Sequence, residues 1–302
     1  MAATADALAT TPAPLRAPPA RSRVRHMRRH WLGIVGLALV LGAVLAGSVG
    51  TLVLPNDPFQ SQLGLRLKPP AWLPGGDPRF LLGTDQLGRD LLARVALGAR
   101  VSLLVGIAAT VVAAVLGVAL GLVAGYYRGP LDMVLGAITD IQLSFPLLAL
   151  AISIVAVLGA GLGTLIVVLG ITGWVSFGRI VRAEVLSLRQ REYVVAARAL
   201  GAGDARILAR TILPNVVTSV TIVAAFTFAQ MIVVESSLSF LGLGVQPPTP
   251  TWGGMLNDAR TYLQVAWWTA TFPGLALLLT VLGVNLLGNA LRSALDPRLG
   301  QP

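Results

Sequence analysis

The feature that most constrains this chain is a series of six apolar runs: Trp31 to Leu54, Val101 to Gly125, Ala137 to Leu158, Thr164 to Ile180, Val216 to Val234 and Trp267 to Leu291. Each is close to the roughly 20 residues a helix needs to cross about 30 Å of hydrocarbon. Inside a bilayer no water is available to backbone N–H and C=O groups, so such runs must satisfy their own hydrogen bonds as helices. With 55% hydrophobic and 12% charged residues among 302, too little polar surface remains for a soluble domain. The expectation is an all-α integral membrane protein with six transmembrane helices. The first run follows Arg21, Arg23, Arg25, Arg28 and Arg29. It exceeds the roughly 7–15-residue apolar core of a cleaved signal peptide, so it reads as a retained helix.

The net charge of +10 is an arginine charge, Lys68 being the only lysine. The arginines flank the apolar runs and do not interleave with aromatics on a polar face, which argues for membrane topology and against nucleic-acid binding. Placing the N-terminus in the cytosol puts 16 basic residues inside and 7 outside, as the positive-inside rule demands. Both termini are then cytosolic. The chain divides into a basic tail at 1–30, its first 20 residues read as disordered, and a first transmembrane helix at 31–54. An external segment follows at 55–100, where a Pro/Gly-rich loop (Pro69, Pro70, Pro74, Gly75, Gly76) leads into an interfacial helix through Leu91, Leu92, Val95 and Leu97. A core at 101–291 holds a cytosolic loop, 181–215, and a Pro-rich external loop, 236–266. The C-terminal tail, 292–302, is cytosolic.

Chemistry is scarce. With 0 Cys there is no disulfide, thiolate nucleophile or Cys-bound metal. The two histidines, His26 and His30, precede the first run, so no membrane-embedded imidazole is available as a base or ligand. A phosphate-binding loop of the form G-x-x-x-x-G-K-[ST] needs a lysine that Leu67-Lys68-Pro69 cannot supply. No catalytic residue, metal site or cofactor is expected, and the chain does not read as an enzyme. Gly117, Gly121 and Gly125, four residues apart, share one helix face and favour close helix packing. Asn285 and Asn289, also four apart, suggest an interhelical hydrogen bond before a substrate contact. Asp140 and Glu235, near the ends of the third and fifth runs, read as solvated or salt-bridged groups before proton carriers. Together with Gln230 these are the candidate pathway or polar membrane residues. Pro146 should kink the third span or end its first turn.

The richest signal lies between the fourth and fifth runs. Ala196, Ala197 and Ala199 make a short helix with a smooth face, Gly201 permits a sharp reversal, and a second short helix leads to Pro214. That geometry suits a plug in a partner's groove, although a solvated basic loop explains the arginines equally well. The segment resembles the EAA loop of ABC importer permeases, E-A-A-x3-G-x9-I-x-L-P. Ala196, Ala197, Gly201, Leu213 and Pro214 fall on it in register. Val195 stands where that pattern has Glu, with Glu192 one turn earlier, and Thr211 stands where it has Ile, with Ile212 beside it; Asp204 follows the turn. Leu82-Gly83-Thr84-Asp85-Gln86-Leu87-Gly88-Arg89-Asp90, Leu238-Ser239-Phe240-Leu241-Gly242-Leu243-Gly244, Pro247-Pro248-Thr249-Pro250-Thr251-Trp252-Gly253 and Leu295-Asp296-Pro297-Arg298 are similar to the dipeptide/oligopeptide/nickel branch of these permeases. Pro69-Pro70-Ala71-Trp72 and Phe272-Pro273-Gly274 lean towards the dipeptide-type second permease subunit.

The resemblance implies a type I ABC importer permease core with an extra N-terminal helix, in the bacterial cytoplasmic (inner) membrane. It implies a second homologous permease, two ABC ATPase subunits that bind ATP and Mg and dock on the loop bearing Glu192, Ala196, Ala197, Gly201, Asp204, Leu213 and Pro214, and an external substrate-binding protein. Membrane lipid is the remaining partner, and no nucleic acid is implied. The implied cargo is dipeptides or short oligopeptides. Nickel or another small solute is the alternative within that class, and a proton-coupled secondary transporter is the rival outside it.

Overall fold

The structure, a computed structural model, describes residues 20–295. Most of the tail read as disordered, and 296–302 with Arg298, lie outside the described residues. Among the described residues there are helices, turns and one isolated β-bridge, Thr84 to Asp90, but no strand. We label the main helices α1 (Ala20–Leu45), α2 (Leu91–Tyr127), α3 (Gly129–Leu143), α4 (Leu147–Leu158), α5 (Leu162–Leu188), α6 (Glu192–Ala199), α7 (Asp204–Phe240), α8 (Trp252–Ala259) and α9 (Trp268–Leu295). Among the described residues five helices are long and apolar enough to cross a membrane, and six spans result if α3 and α4 count as one. The fold is therefore all-helical and multi-spanning.

Several boundaries differ from the sequence reading. No separate interfacial helix precedes the second span: Leu91 to Arg100 is the first part of α2, a single helix of 37 residues. At 1.5 Å per residue it is about 55 Å long, well beyond the hydrocarbon thickness. It starts where the Asp90 side chain accepts from the Leu92 amide at 2.9 Å, an N-cap that satisfies an otherwise orphaned donor. The third run is a pair of helices meeting at 93°. Pro146 has no N–H and disfavours helical geometry at Phe145, so the ladder ends there. The second short helix before Pro214 is present at Asp204–Ile207 but is not separate, because it continues through a π-turn, Leu208–Ile212, into the fifth span.

The centre of the bundle is the contact between α2 and α5, the most extensive in the molecule. The two run parallel, and α2 presents Gly117, Gly121 and Gly125 to Trp174, Phe177, Gly178, Val181 and Val185 of α5. A Cβ on Gly121 would lie 2.7 Å from the Gly178 carbonyl oxygen, and one on Gly125 2.7 Å from Val185 Cβ; at Gly117 it would collide with the Trp174 carbonyl. Membrane lipid is as apolar as leucine, so close backbone approach and van der Waals contact must do what water expulsion does elsewhere. Helix α7 packs antiparallel against both. Its Met231, Val234 and Leu238 form a buried core with Val105 and Ala109 of α2 and Leu165, Val168 and Leu169 of α5. Helix α1 lies outside this core and crosses α9 through glycines, a Cβ on Gly36 falling 2.8 Å from the Gly283 carbonyl oxygen.

At the Leu91 end of the bundle, residues 55–90 fold into a compact cap. Its centre is the buried carboxylate of Asp85, which accepts from the amides of Leu87 and Arg89 at 2.8 and 3.0 Å and from Arg89 Nε at 2.7 Å. Arg94 Nε of α2 completes the cluster at 3.3 Å. Trp268 Nε1 of α9 donates to the Thr84 carbonyl at 3.2 Å, tying the cap to a second helix.

Two predictions follow from this packing. Gly117→Val should cost at least about 1–3 kcal/mol through overpacking, read as a lowered Tm in detergent, while Gly42→Ala, where a Cβ meets open space, should leave Tm unchanged or raise it. Asp85→Ala should cost about 3–5 kcal/mol, because it strands two buried guanidinium groups, and limited proteolysis of residues 55–90 would report the loosened cap.

Candidate functional site

At the other end of the bundle, α2 stops at Tyr127, α5 stops at Leu188 and α7 begins at Asp204. Between the last two stands α6, eight residues long. Glu192 lies in its first turn, where a carboxylate complements the positive end of the helix. Val194 and Ala197, three residues apart, point into the bundle. Val194 is buried with Tyr126, Val181, Val185, Ile207, Ile212 and Val216, and Ala197 packs against that cluster. The outward face carries Ala196 and Ala199 with three larger exposed groups, Tyr193, Val195 and Leu200, the last of these 88% exposed at the tip. The three alanines thus do not share one face, as the sequence reading had them, since Ala197 turns inward.

The reversal after α6 rests on Gly201, whose φ of +81° is disfavoured for residues with a side chain. The Gly201 amide bonds the Arg198 carbonyl at 3.0 Å, and the Ala202 amide reaches the Ala197 carbonyl at 3.1 Å. Asp204 then opens α7, exposed. Leu213 is half-buried and Pro214 exposed, both just past the π-turn. Thr211 is half-buried, and its neighbour Ile212 fills the core. Val195, where the EAA pattern has Glu, is on the outward face.

A residue that the sequence reading did not single out clasps this hairpin to the bundle. Tyr126, next to last in α2 and buried, donates its hydroxyl proton to Asp204 Oδ1 at 2.6 Å and accepts from Arg198 Nη2 at 2.9 Å. The Arg198 guanidinium lies 5.4 Å from the centre of the Tyr126 ring, within cation–π range. Hydrogen bonding to the tyrosine oxygen pushes Arg198 up from its ordinary value. Arg189, at the end of α5, donates to the Tyr126 carbonyl at 2.8 Å. Nearby, Arg182 of α5 and Asp132 of α3 form a bidentate ion pair, and Ser219 of α7 donates to Glu184 of α5. Four helices are thereby fastened around the base of α6.

The polar membrane residues are scattered. Asp140 is exposed near the end of α3, and Gln230 is exposed on α7. Asn285 donates to the Val281 carbonyl of its own helix at 2.9 Å and makes no interhelical bond; Asn289 is exposed. Glu235 departs from the solvated or salt-bridged reading. It is fully buried, accepting from Ser239 Oγ at 2.7 Å and Ser236 Oγ at 3.2 Å, because the Pro-rich segment folds back and lays Thr251 and Trp252 over the end of α7. Among the described residues no hydrogen bond joins any two of these five. The bend between α3 and α4 is held by a group that sequence reading passed over: Gln142 donates to the Thr172 carbonyl at 2.6 Å and accepts from Trp174 Nε1 at 2.9 Å.

The α6 hairpin is thus an exposed short helix with an apolar tip, anchored to the bundle on its inner face. Comparisons with known proteins identify the family. Residues 117–301 match the family described as binding-protein-dependent transport system inner membrane component. The chain is 45% identical to the di/tripeptide transport system permease DppC of Pseudomonas aeruginosa, over 87% of each chain. It is 41% identical to the dipeptide permease DppC of Escherichia coli, over 96% of each. It is 46% identical to the glutathione permease GsiD of Pectobacterium atrosepticum, over 72% of each. The fold is similar to a chain of the inward-facing methionine ABC transporter MetNI, with a TM-score of 0.54 and 20% identity, over 68% of this chain and 97% of that one. The chain therefore belongs to the family of inner-membrane components of binding-protein-dependent transport systems, the non-enzymatic permease subunits of ABC importers.

Proposed function

We propose that this chain is the permease subunit of an ATP-driven importer that moves dipeptides or short oligopeptides across the bacterial cytoplasmic membrane, with both termini in the cytosol. The observation that carries the reading is the α6 hairpin, in register with the EAA pattern and outward-facing at Tyr193, Val195 and Leu200. The peptide and dipeptide permeases among its relatives, matched along nearly their whole length, support the cargo class.

In this reading two ABC ATPase subunits grip α6 and bind the ATP and Mg that this chain has no phosphate-binding loop to hold. A second, homologous permease covers α3 and α4. Helix α3 has no buried residue, and its Met133, Val134, Ile138 and Ile141 are all exposed; two such surfaces facing one another would enclose the pathway at their interface. An external substrate-binding protein delivers cargo to the cap and the segment 241–268 at the opposite end. The work done by this chain is conformational: closure of the ATPases draws the hairpins together and biases the bundle from one two-state arrangement to the other.

The direct test is to tag the chain, solubilise it gently and identify what co-purifies. A second permease with one or two P-loop ATPases is the expected result, and a chain that purifies alone from several mild detergents would count against it. In proteoliposomes, dipeptide uptake by the purified complex should require ATP on the hairpin side, survive a protonophore and survive Asp140→Asn. Uptake abolished by the protonophore would favour a proton-coupled carrier. Gly201→Val, forcing a β-branched residue into the left-handed region, should lower uptake about fivefold or more. Gly203→Ala, at an ordinary φ of −69° with open space around it, should not.

A further inference from the structure

We infer that Tyr126 is the positioning residue through which movement of the α6 hairpin reaches the membrane helices, a role that rests on the importer reading above. The hairpin needs such a device. It joins α7 through Gly201 and Gly203, and a Cβ on either would meet open space. Chain of that kind can swing without dragging the bundle along. Apolar packing of Val194 and Ala197 holds the hairpin down but is non-directional, so it resists lifting more than it resists rotation.

The Tyr126 hydroxyl supplies direction. Its single proton goes to Asp204, the first residue of α7, and its oxygen receives Arg198 from the last turn of α6. Both bonds involve an ionised partner and are stronger than neutral ones. The ring beneath the Arg198 guanidinium adds a second contact to α6, and the Arg189 bond to the Tyr126 carbonyl brings in the end of α5. One residue of α2 thus touches both arms of the hairpin and the helix preceding it. Just before Tyr126, the glycine face leaves α2 no freedom to slide on α5. A pull on α6 is therefore delivered to α2 and α5 together. Phenylalanine would keep the ring and the packing and lose both hydroxyl bonds, which separates the pin from the core.

The test uses the assembled importer in proteoliposomes and reads peptide transported per ATP hydrolysed, a ratio that simple loss of folded complex does not change. Tyr126→Phe should lower this ratio about tenfold, the scale of losing a hydrogen bond to a charged group. Asp204→Ala should lower it similarly, and the double variant should fall no further, because both remove one linkage. Tyr127→Phe, at the neighbouring exposed position, should match the wild type. A wild-type ratio in Tyr126→Phe, or losses that multiply in the double variant, would overturn the inference. Should Tyr126→Phe fail to assemble, Asp204→Ala and Arg198→Gln, both at exposed positions, decide by the same ratio. A wild-type complex without ATP-driven uptake would instead overturn the importer reading itself.

Discussion

The close approach of α2 and α5 is the constraint on which the rest of this structure depends. In a bilayer, packing of one helix on another gains nothing from expelling water, so association relies on how near two backbones can come. Three glycines at four-residue spacing let α2 lie against the backbone of α5 at Trp174 and Gly178, and α7 then closes over both. Because α2 is about 55 Å long, this one rigid pair also reaches both ends of the molecule. At one end it roots the cap through Arg94, and at the other it carries the hairpin through Tyr126.

The two ends are built on different principles. The cap is knotted around a buried carboxylate shared by two buried arginines, and Glu235 close by is sealed under Thr251 and Trp252. Removing either partner from such a cluster is expensive, which favours a fixed shape. The hairpin end instead leaves its charges at the surface, where an exposed ion pair or hydrogen bond contributes little alone and depends on buried Tyr126 for its geometry. A sealed face and a surface-charged one, joined by an inextensible pair of helices, would suit the proposed subunit, in which movement at one end is carried to the other.

Much of this was legible in the chain. The apolar runs coincide with the five long apolar helices and the bent pair α3 and α4, the glycine spacing marks the helix face now found against α5, and Ala196, Ala197, Gly201, Leu213 and Pro214 fall in or beside the hairpin. What misled was hydropathy near charged residues. The stretch Leu91 to Leu97 read as a separate interfacial helix, because the carboxylate of Asp85 that buries Arg89 and Arg94 becomes visible only when the chain folds. Glu235 read as solvated for the same reason. Tyr126 gave no local signal, since its partners Arg198 and Asp204 lie 72 and 78 residues away. The break at Pro146 was visible, but its size was not: the 93° bend is held by Gln142 of α3 bonding Thr172 and Trp174 of α5, a contact no local pattern encodes.

The central claim is that hairpin, α2 and α5 move as one body. The chain contains no cysteine, so two introduced thiols are its only sites for spin labels. Labels at Leu200, on the hairpin tip, and Val115, on the exposed side of α2, would be measured by pulsed electron spin resonance in the assembled complex, without nucleotide and with ATP trapped. The account predicts one narrow distance distribution that is the same in both states. A shift or broadening of more than about 5 Å, roughly one helical turn, would show that the hairpin moves independently of the pair and would contradict it.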